Sequence, residues 1–226
     1  PRMALPRGAQ TASRWRACTG RYHKLCCWYL EAVAHMAYPT YITEALVCGS
    51  TNSHTADRSF LLLTREAGMV RAQARSVREE RSKQRYALQE CSYIRVTLVR
   101  GKSGWRIAGT EVITNLYANA ATREARALLR NLILLVRRVM QGEVVHAGIF
   151  SDIVSACSAS DRHEPHTLET ITTLRILHAL GYIAPHEAYK RFLGVTFPFD
   201  TLVSLSAEED TLCQKAIHTA LHESQL

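Results

Sequence analysis

The hydrophobic period of this chain changes once, near residue 116, and that change constrains the fold more than any composition figure. From Met36 to about residue 113 apolar residues recur at alternate positions in short runs, the pattern of strands with one buried face. "YITEALVCG" (41–49) is rich in apolar and β-branched residues and stops at a glycine, while "RSFLLLTR" (58–65) is a short apolar run bounded by charge. After the turn "EAG", residues 69–76 set Val70, Ala72 and Ala74 on one face and Arg71, Gln73 and Arg75 on the other. A helix would also bring Arg71 near Arg75, but Gly68 and the neighbouring short strands favour a hairpin. "CSYIRVTLVRG" sets Ile94, Val96 and Leu98 opposite Arg95, Thr97 and Val99, and "GWRIAGTEVI" follows the tight "GKSG" turn. Five short strands in about 75 residues predict a small closed or nearly closed barrel, for which the OB-fold is the common five-stranded solution.

Past residue 120 the period is helical. "TREARALLRNLILLVRRVM" aligns Ala125, Leu128, Leu129, Leu132, Ile133, Val136, Val139 and Met140 in a broad apolar stripe, with Arg123, Arg126, Arg130 and Arg137 largely on other faces. Further helices are predicted at 145–158, at 167–180 ending at Gly181, and at 207–223, where Ser206 and Glu209 have the spacing of a capping box. The expected fold is therefore α+β and multi-domain: a five-stranded barrel at 36–116 and an all-helical domain at 117–226.

Charge divides along the same line. Residues 36–142 hold 17 Lys and Arg against 8 Asp and Glu, whereas residues 143–226 hold 5 against 11. Such asymmetry suggests a module that binds polyanions joined to one with another task, although uneven surface charge alone would look the same. The first 35 residues are basic, carry three of the seven cysteines and show no periodicity. They are expected to be an unstructured leader, with Met36 as the native start. The longest aliphatic run, "LILLV", is far short of the ~20 apolar residues of a membrane span. Seven scattered cysteines without a C-x-x-C spacing read as reduced thiols in a cytosolic protein.

The basic residues concentrate between 65 and 106, where Arg65, Arg71, Arg75, Arg78, Arg81, Lys83, Arg85, Arg95, Arg100, Lys102 and Arg106 face only four acids. Spread, flexible cations of this kind suit a phosphate backbone, because each neutralised phosphate releases condensed counterions. Tyr86, Tyr93 and Trp105 are the aromatic platforms available for base stacking, with Tyr93 and Trp105 equally placed to be barrel core. Catalytic signals are weak: there is no Walker A loop, G-x-S-x-G elbow or H-E-x-x-H. Asp161, His163, Glu164 and His166 cluster in "SDRHEPH", but Pro165 breaks the spacing that would align them on a metal. No enzyme, cofactor or metal site is expected.

Together "TEALVCGS", "ADRSFLLLTREAGMVRAQARSVR", "SKQRYALQECS", "IRVTLVRGKSGWRIAGTEVI" and "LRILHALGYIAP" resemble, in order and spacing, the bacterial recombination mediator family RecO, over roughly residues 40–226. The resemblance implies an N-terminal OB-fold and a C-terminal helical domain. It further implies single-stranded DNA binding, strand annealing, partnership with RecR, and displacement of single-stranded DNA-binding protein during recombinational repair, in the cytoplasm at the nucleoid. Binding to duplex DNA stays open. On this resemblance the acidic, apolar-ended tail of single-stranded DNA-binding protein would dock in a groove of the helical domain rimmed by a cation, with Arg137, Arg138 and Arg175 as candidates. Two departures stand out. Ser76 takes the place of a frequent family glycine, and "HEAYKRFLGVTFPFDTLVSL" has none of the zinc-binding cysteines that some members carry after the "LGY" helix. A generic RNA-binding OB module and a helical interaction scaffold are the alternatives.

Overall fold

The computed structural model describes residues 39–53, 56–79, 81–82, 84–102, 104–140, 142–194, 197–199 and 204–224. The expected leader and the start at Met36 lie outside these residues. Five strands come first: β1 (Thr40–Asn52), β2 (Arg58–Thr64), β3 (Gly68–Ala74), β4 (Ser92–Gly101) and β5 (Gly104–Asn115). On β3 the burial alternates, with Val70, Ala72 and Ala74 inside and Arg71 and Gln73 outside, so the period-two reading holds over the helical one. β1 is long enough to serve two neighbours. Its first half pairs antiparallel with β4, its second half with β2, and a bulge between Val47 and Gly49 bends it between the two. A short parallel contact, Ala72 with Trp105 and Gln73 with Arg106, joins β3 to β5 and closes the circuit β1-β2-β3-β5-β4. The fold is mixed α+β.

The helices follow from the sequence pattern with two short additions, α1 (Gln84–Ala87) and α2 (Leu116–Asn119). The amphipathic segment forms α3 (Arg123–Val139), capped by the Thr122 hydroxyl and burying the expected stripe from Ala125 to Val139. α4 (Ala147–Ala159) and α5 (Pro165–Ala179) come next, and Pro165 opens α5 rather than breaking it, since the first turn needs no proline N–H. A 3-10 turn (Lys190–Phe192) leads to α6 (Ala207–Glu223), whose capping box between Ser206 and Glu209 is formed in both directions.

Two apolar clusters hold these elements. The barrel interior gathers Val47, Phe60, Leu62, Val70, Ile94, Val96, Leu98 and Trp105. The second core is helical, but Leu46, Cys48, Leu63 and Met69 enter it from the barrel. Residues 39–226 accordingly form one compact unit. The segment between α3 and α4 closes against the β2–β3 turn: the Met69 N–H donates to the Gly142 carbonyl at 3.2 Å. Gly68 sits beneath it at φ +67°, where an added Cβ would stand 2.2 Å from the Val144 carbonyl oxygen. Among the described residues no helix is long and apolar enough to cross a membrane.

Candidate nucleic-acid interface

The chain leaves β3 into the basic segment through Ser76, which adopts φ +50° and donates its N–H to the Asp57 carboxylate at 2.9 Å. Beyond this turn Val77 and Leu88 join the barrel core, while Arg78, Arg81, Arg85 and Tyr86 are exposed. Tyr86 is 69% exposed beside Arg85, an open aromatic face of the kind a base can stack on. Lys83 lies outside the described residues.

The other cations divide into two groups. Arg71 on β3, Arg75 just past it and Arg106 on β5 point outward along the β3–β5 seam, with Gln73 and Arg106 directly paired across it. Lys102 is exposed in the β4–β5 turn. Among the described residues Arg71, Arg75, Arg81, Arg85, Lys102 and Arg106 make no ion pair, which leaves their full charge to solvent. Arg65, Arg95 and Arg100 are different. Arg65 pairs with Glu44 at 2.7 Å and lies 5.2 Å over the Phe150 ring. Arg95 pairs with Glu111 at 3.2 Å, and Arg100 with Glu143 at 2.8 Å.

The aromatic expectations divide as well. Trp105 is 8% exposed and belongs to the barrel core, with Tyr41 edge-on at 5.2 Å and the Arg100 guanidinium 4.9 Å over its ring. Its indole N–H donates to Glu143 Oε1 at 2.8 Å. Trp105 therefore offers no open face for stacking in this conformation, because its ring is part of the packing that closes the barrel. Tyr93 is likewise structural: its hydroxyl donates to Glu44 at 2.7 Å, and burial followed by the Glu44 carboxylate raises its pKa. Trp105 and Arg100 together hold the Glu143 carboxyl below the usual carboxylate range. Nothing local in the sequence marks Glu143 or Glu44, which stand 43 and 21 residues from the arginines they bind.

Of the three cations assigned to the helical region, Arg175 is the one held inside the fold. It is 6% exposed within α5, donates through Nε and Nη2 to Asp152, and gives Nη1 to the Phe192 and Gly194 carbonyls. It fastens the 190–194 segment to the helices, and with Asp152, His178 and Gly194 it lines a cleft of about 160 Å³. Arg138 is exposed on the last turn of α3. Arg137 lines a cleft of about 460 Å³ together with Arg71, Arg100, Trp105 and Glu143. In "SDRHEPH", Asp161 accepts from the Ala121 N–H, Glu164 from the Thr167 hydroxyl, and His166 lies 3.9 Å from Asp210. The four described cysteines are free. Burial pushes the Cys48 and Cys157 thiols up to about 12 and Cys91 to about 11, so they stay protonated and inert near neutral pH.

Residues 36–116, the strand-rich part of the chain, match the family model "Recombination protein O N terminal". The chain is also similar to "DNA repair protein RecO" of Dehalococcoides mccartyi (strain CBDB1), 26% identical over 141 residues, covering 62% of this chain and 56% of that protein. The protein of the same name from Desulfitobacterium hafniense (strain DSM 10664 / DCB-2) is 26% identical over 145 residues, covering 63% and 52%. The chain thus spans about half the length of the curated relatives it matches. Family model and relatives agree in direction: the strand-rich part of this chain is similar to the N-terminal part of RecO proteins.

Proposed function

We propose that the barrel is an OB-fold and that the protein is a DNA repair and recombination mediator. In this reading it binds single-stranded DNA, anneals complementary strands and helps replace single-stranded DNA-binding protein with recombinase. The strand circuit with its short parallel β3–β5 closure supports the OB assignment. The observation that carries the binding is the set of exposed cations free of ion pairs, Arg71, Arg75 and Arg106 along the seam and Arg81 and Arg85 beside the exposed Tyr86. Annealing needs two strands held with their charge neutralised and their bases free, and no covalent step, so the protein acts as a binding protein rather than an enzyme. RecR and the tail of single-stranded DNA-binding protein are the partners this reading assigns to it, in the cytoplasm at the nucleoid.

Replacing Arg75 and Arg106 by Ala tests the face. Phosphate contacts carry no base information, so binding should weaken about equally for all sequences. The slope of log affinity against log salt should flatten by roughly 0.7 per lost contact. Fluorescence anisotropy of labelled oligonucleotides at several salt concentrations reads both quantities. Unchanged affinity and slope in the double variant would refute the assignment. A preference for RNA over DNA of the same sequence would favour an RNA-binding module, and weak binding indifferent to salt a helical scaffold.

A further inference from the structure

At the rim where β4 turns into β5, one carboxylate satisfies two donors of the barrel. Glu143, in the segment between α3 and α4, accepts from Arg100 Nη1 through Oε2 at 2.8 Å and from Trp105 Nε1 through Oε1 at 2.8 Å. The Arg100 guanidinium lies over the same indole ring, so the two donors form one rigid unit. The cleft beside them, about 460 Å³, has Leu61, Met69 and Met140 in its lining and carries two further cations, Arg71 and Arg137. Neither makes an ion pair among the described residues. Three arginines and a single carboxylate thus line the cleft, which keeps an excess of positive charge. Arg71 belongs both to the cleft and to the outer face of β3 that leads through Gln73 to Arg75.

A phosphodiester presents to such donors what a carboxylate presents, two anionic oxygens within reach of a planar fork and a neighbouring N–H. The Glu143 side chain is 43% exposed, so a departing carboxylate has water at hand. We propose that this cleft is a phosphate subsite for single-stranded nucleic acid and that Glu143 is a tethered anion occupying it until a strand arrives. This rests on the single-strand-binding reading above. The strand runs along the β3–β5 seam, a phosphate enters beside Arg71, and the exchange of Glu143 for phosphate frees Arg100 and the Trp105 N–H to bind the backbone. The α3–α4 segment is released in the same step, so occupation of the barrel is felt by the loop that docks the helices on it. Trp105 in this scheme contributes its N–H to a phosphate, and its ring stays in the core.

The test measures oligo(dT) binding by anisotropy across a salt series for the full chain, Glu143→Gln and Glu143→Ala, with melting temperatures as the check on folding. Gln keeps a hydrogen-bond acceptor for Trp105 and removes only the competing charge. The expected result is affinity raised about three- to tenfold in both variants and a salt slope steeper by roughly 0.7, one more phosphate contact. Adding Arg100→Ala should abolish the gain. Folded variants with affinity and slope equal to or below those of the unaltered chain would overturn the subsite while leaving the single-strand reading intact. If neither the unaltered chain nor the variants bind oligo(dT) in a salt-dependent way, both readings fall together.

Discussion

Gly68→Ala is the substitution through which the contact between the barrel and the α3–α4 segment can be weighed. Gly68 ends the β2–β3 turn, where the Thr64 hydroxyl accepts from the Ala67 N–H and donates to the Gly68 carbonyl. Its φ of +67° costs any residue with a Cβ about 1–2 kcal/mol. The new methyl would also stand 2.2 Å from the Val144 oxygen and 2.7 Å from its carbonyl carbon, both backbone atoms that cannot rotate away. The segment must lift, and with it goes the hydrogen bond from Met69 to Gly142, about 1 kcal/mol more. The expected loss is about 2–3 kcal/mol, a fall in melting temperature of roughly 4–12 °C for a unit of this size. Gly181, past the end of α5 at φ +83° with open space around its Cβ position, is the internal control. Gly181→Ala carries the dihedral cost alone, about 1–2 kcal/mol. Urea denaturation of both variants separates the two contributions. If Gly68→Ala loses no more stability than Gly181→Ala, the close approach to Val144 has no energetic consequence and the docking argument fails.

Two further outcomes concern stability. Arg175→Ala should cost about 3–5 kcal/mol, because it strands the mostly covered Asp152 and the Phe192 and Gly194 carbonyls; a variant within about 1 kcal/mol of the unaltered chain in urea denaturation would show that these bonds do not hold the 190–194 segment. Ser76→Gly should stabilise by about 0.5–1 kcal/mol, relief of the left-handed strain outweighing the added freedom of the unfolded chain, and a lower melting temperature would show that the side chain matters more than the dihedral.

What the sequence revealed depended on how far apart the cooperating residues lie. The alternation on β3, the stripe of α3 and the Ser206–Glu209 box are set by neighbours within a few positions, and each appears as the pattern predicts. The basic residues were legible as a concentration of charge, but their availability was not. Arg65 and Arg100 are engaged by Glu44 and Glu143 across the fold, and no local rule couples residues at those separations. Trp105 has the same history. Its place in a strand and the alternation with Arg106 were visible, while its bond to Glu143 joins residues 38 positions apart. Arg175 did leave a trace. In "TTLRILHAL" it is a lone cation among aliphatic residues on a helix whose burial runs through Thr170, Ile171, Thr172, Leu174, Ile176 and Leu177. A largely buried charge of this kind needs an ionic partner, here Asp152.

The division of charge along the chain takes on a different meaning once the pairs are placed. Glu143 belongs by sequence to the acidic half, yet its carboxylate is bound by two donors of the basic barrel. Net charge per segment therefore overstates how separate the two halves are and misplaces the free cations. Acids engage Arg65, Arg95 and Arg100, and what is left exposed is Arg71, Arg75 and Arg106 along the β3–β5 seam and Arg81 and Arg85 in the segment that follows β3. A flexible polyanion laid along that seam meets cations in succession, and at the Arg71 end it meets a carboxylate already holding the next two donors. A stretch of uniformly positive surface would bind strands without any consequence for the rest of the molecule. On the proposal above, a band that ends on a displaceable anion would tie backbone binding to a segment that closes on the β2–β3 turn.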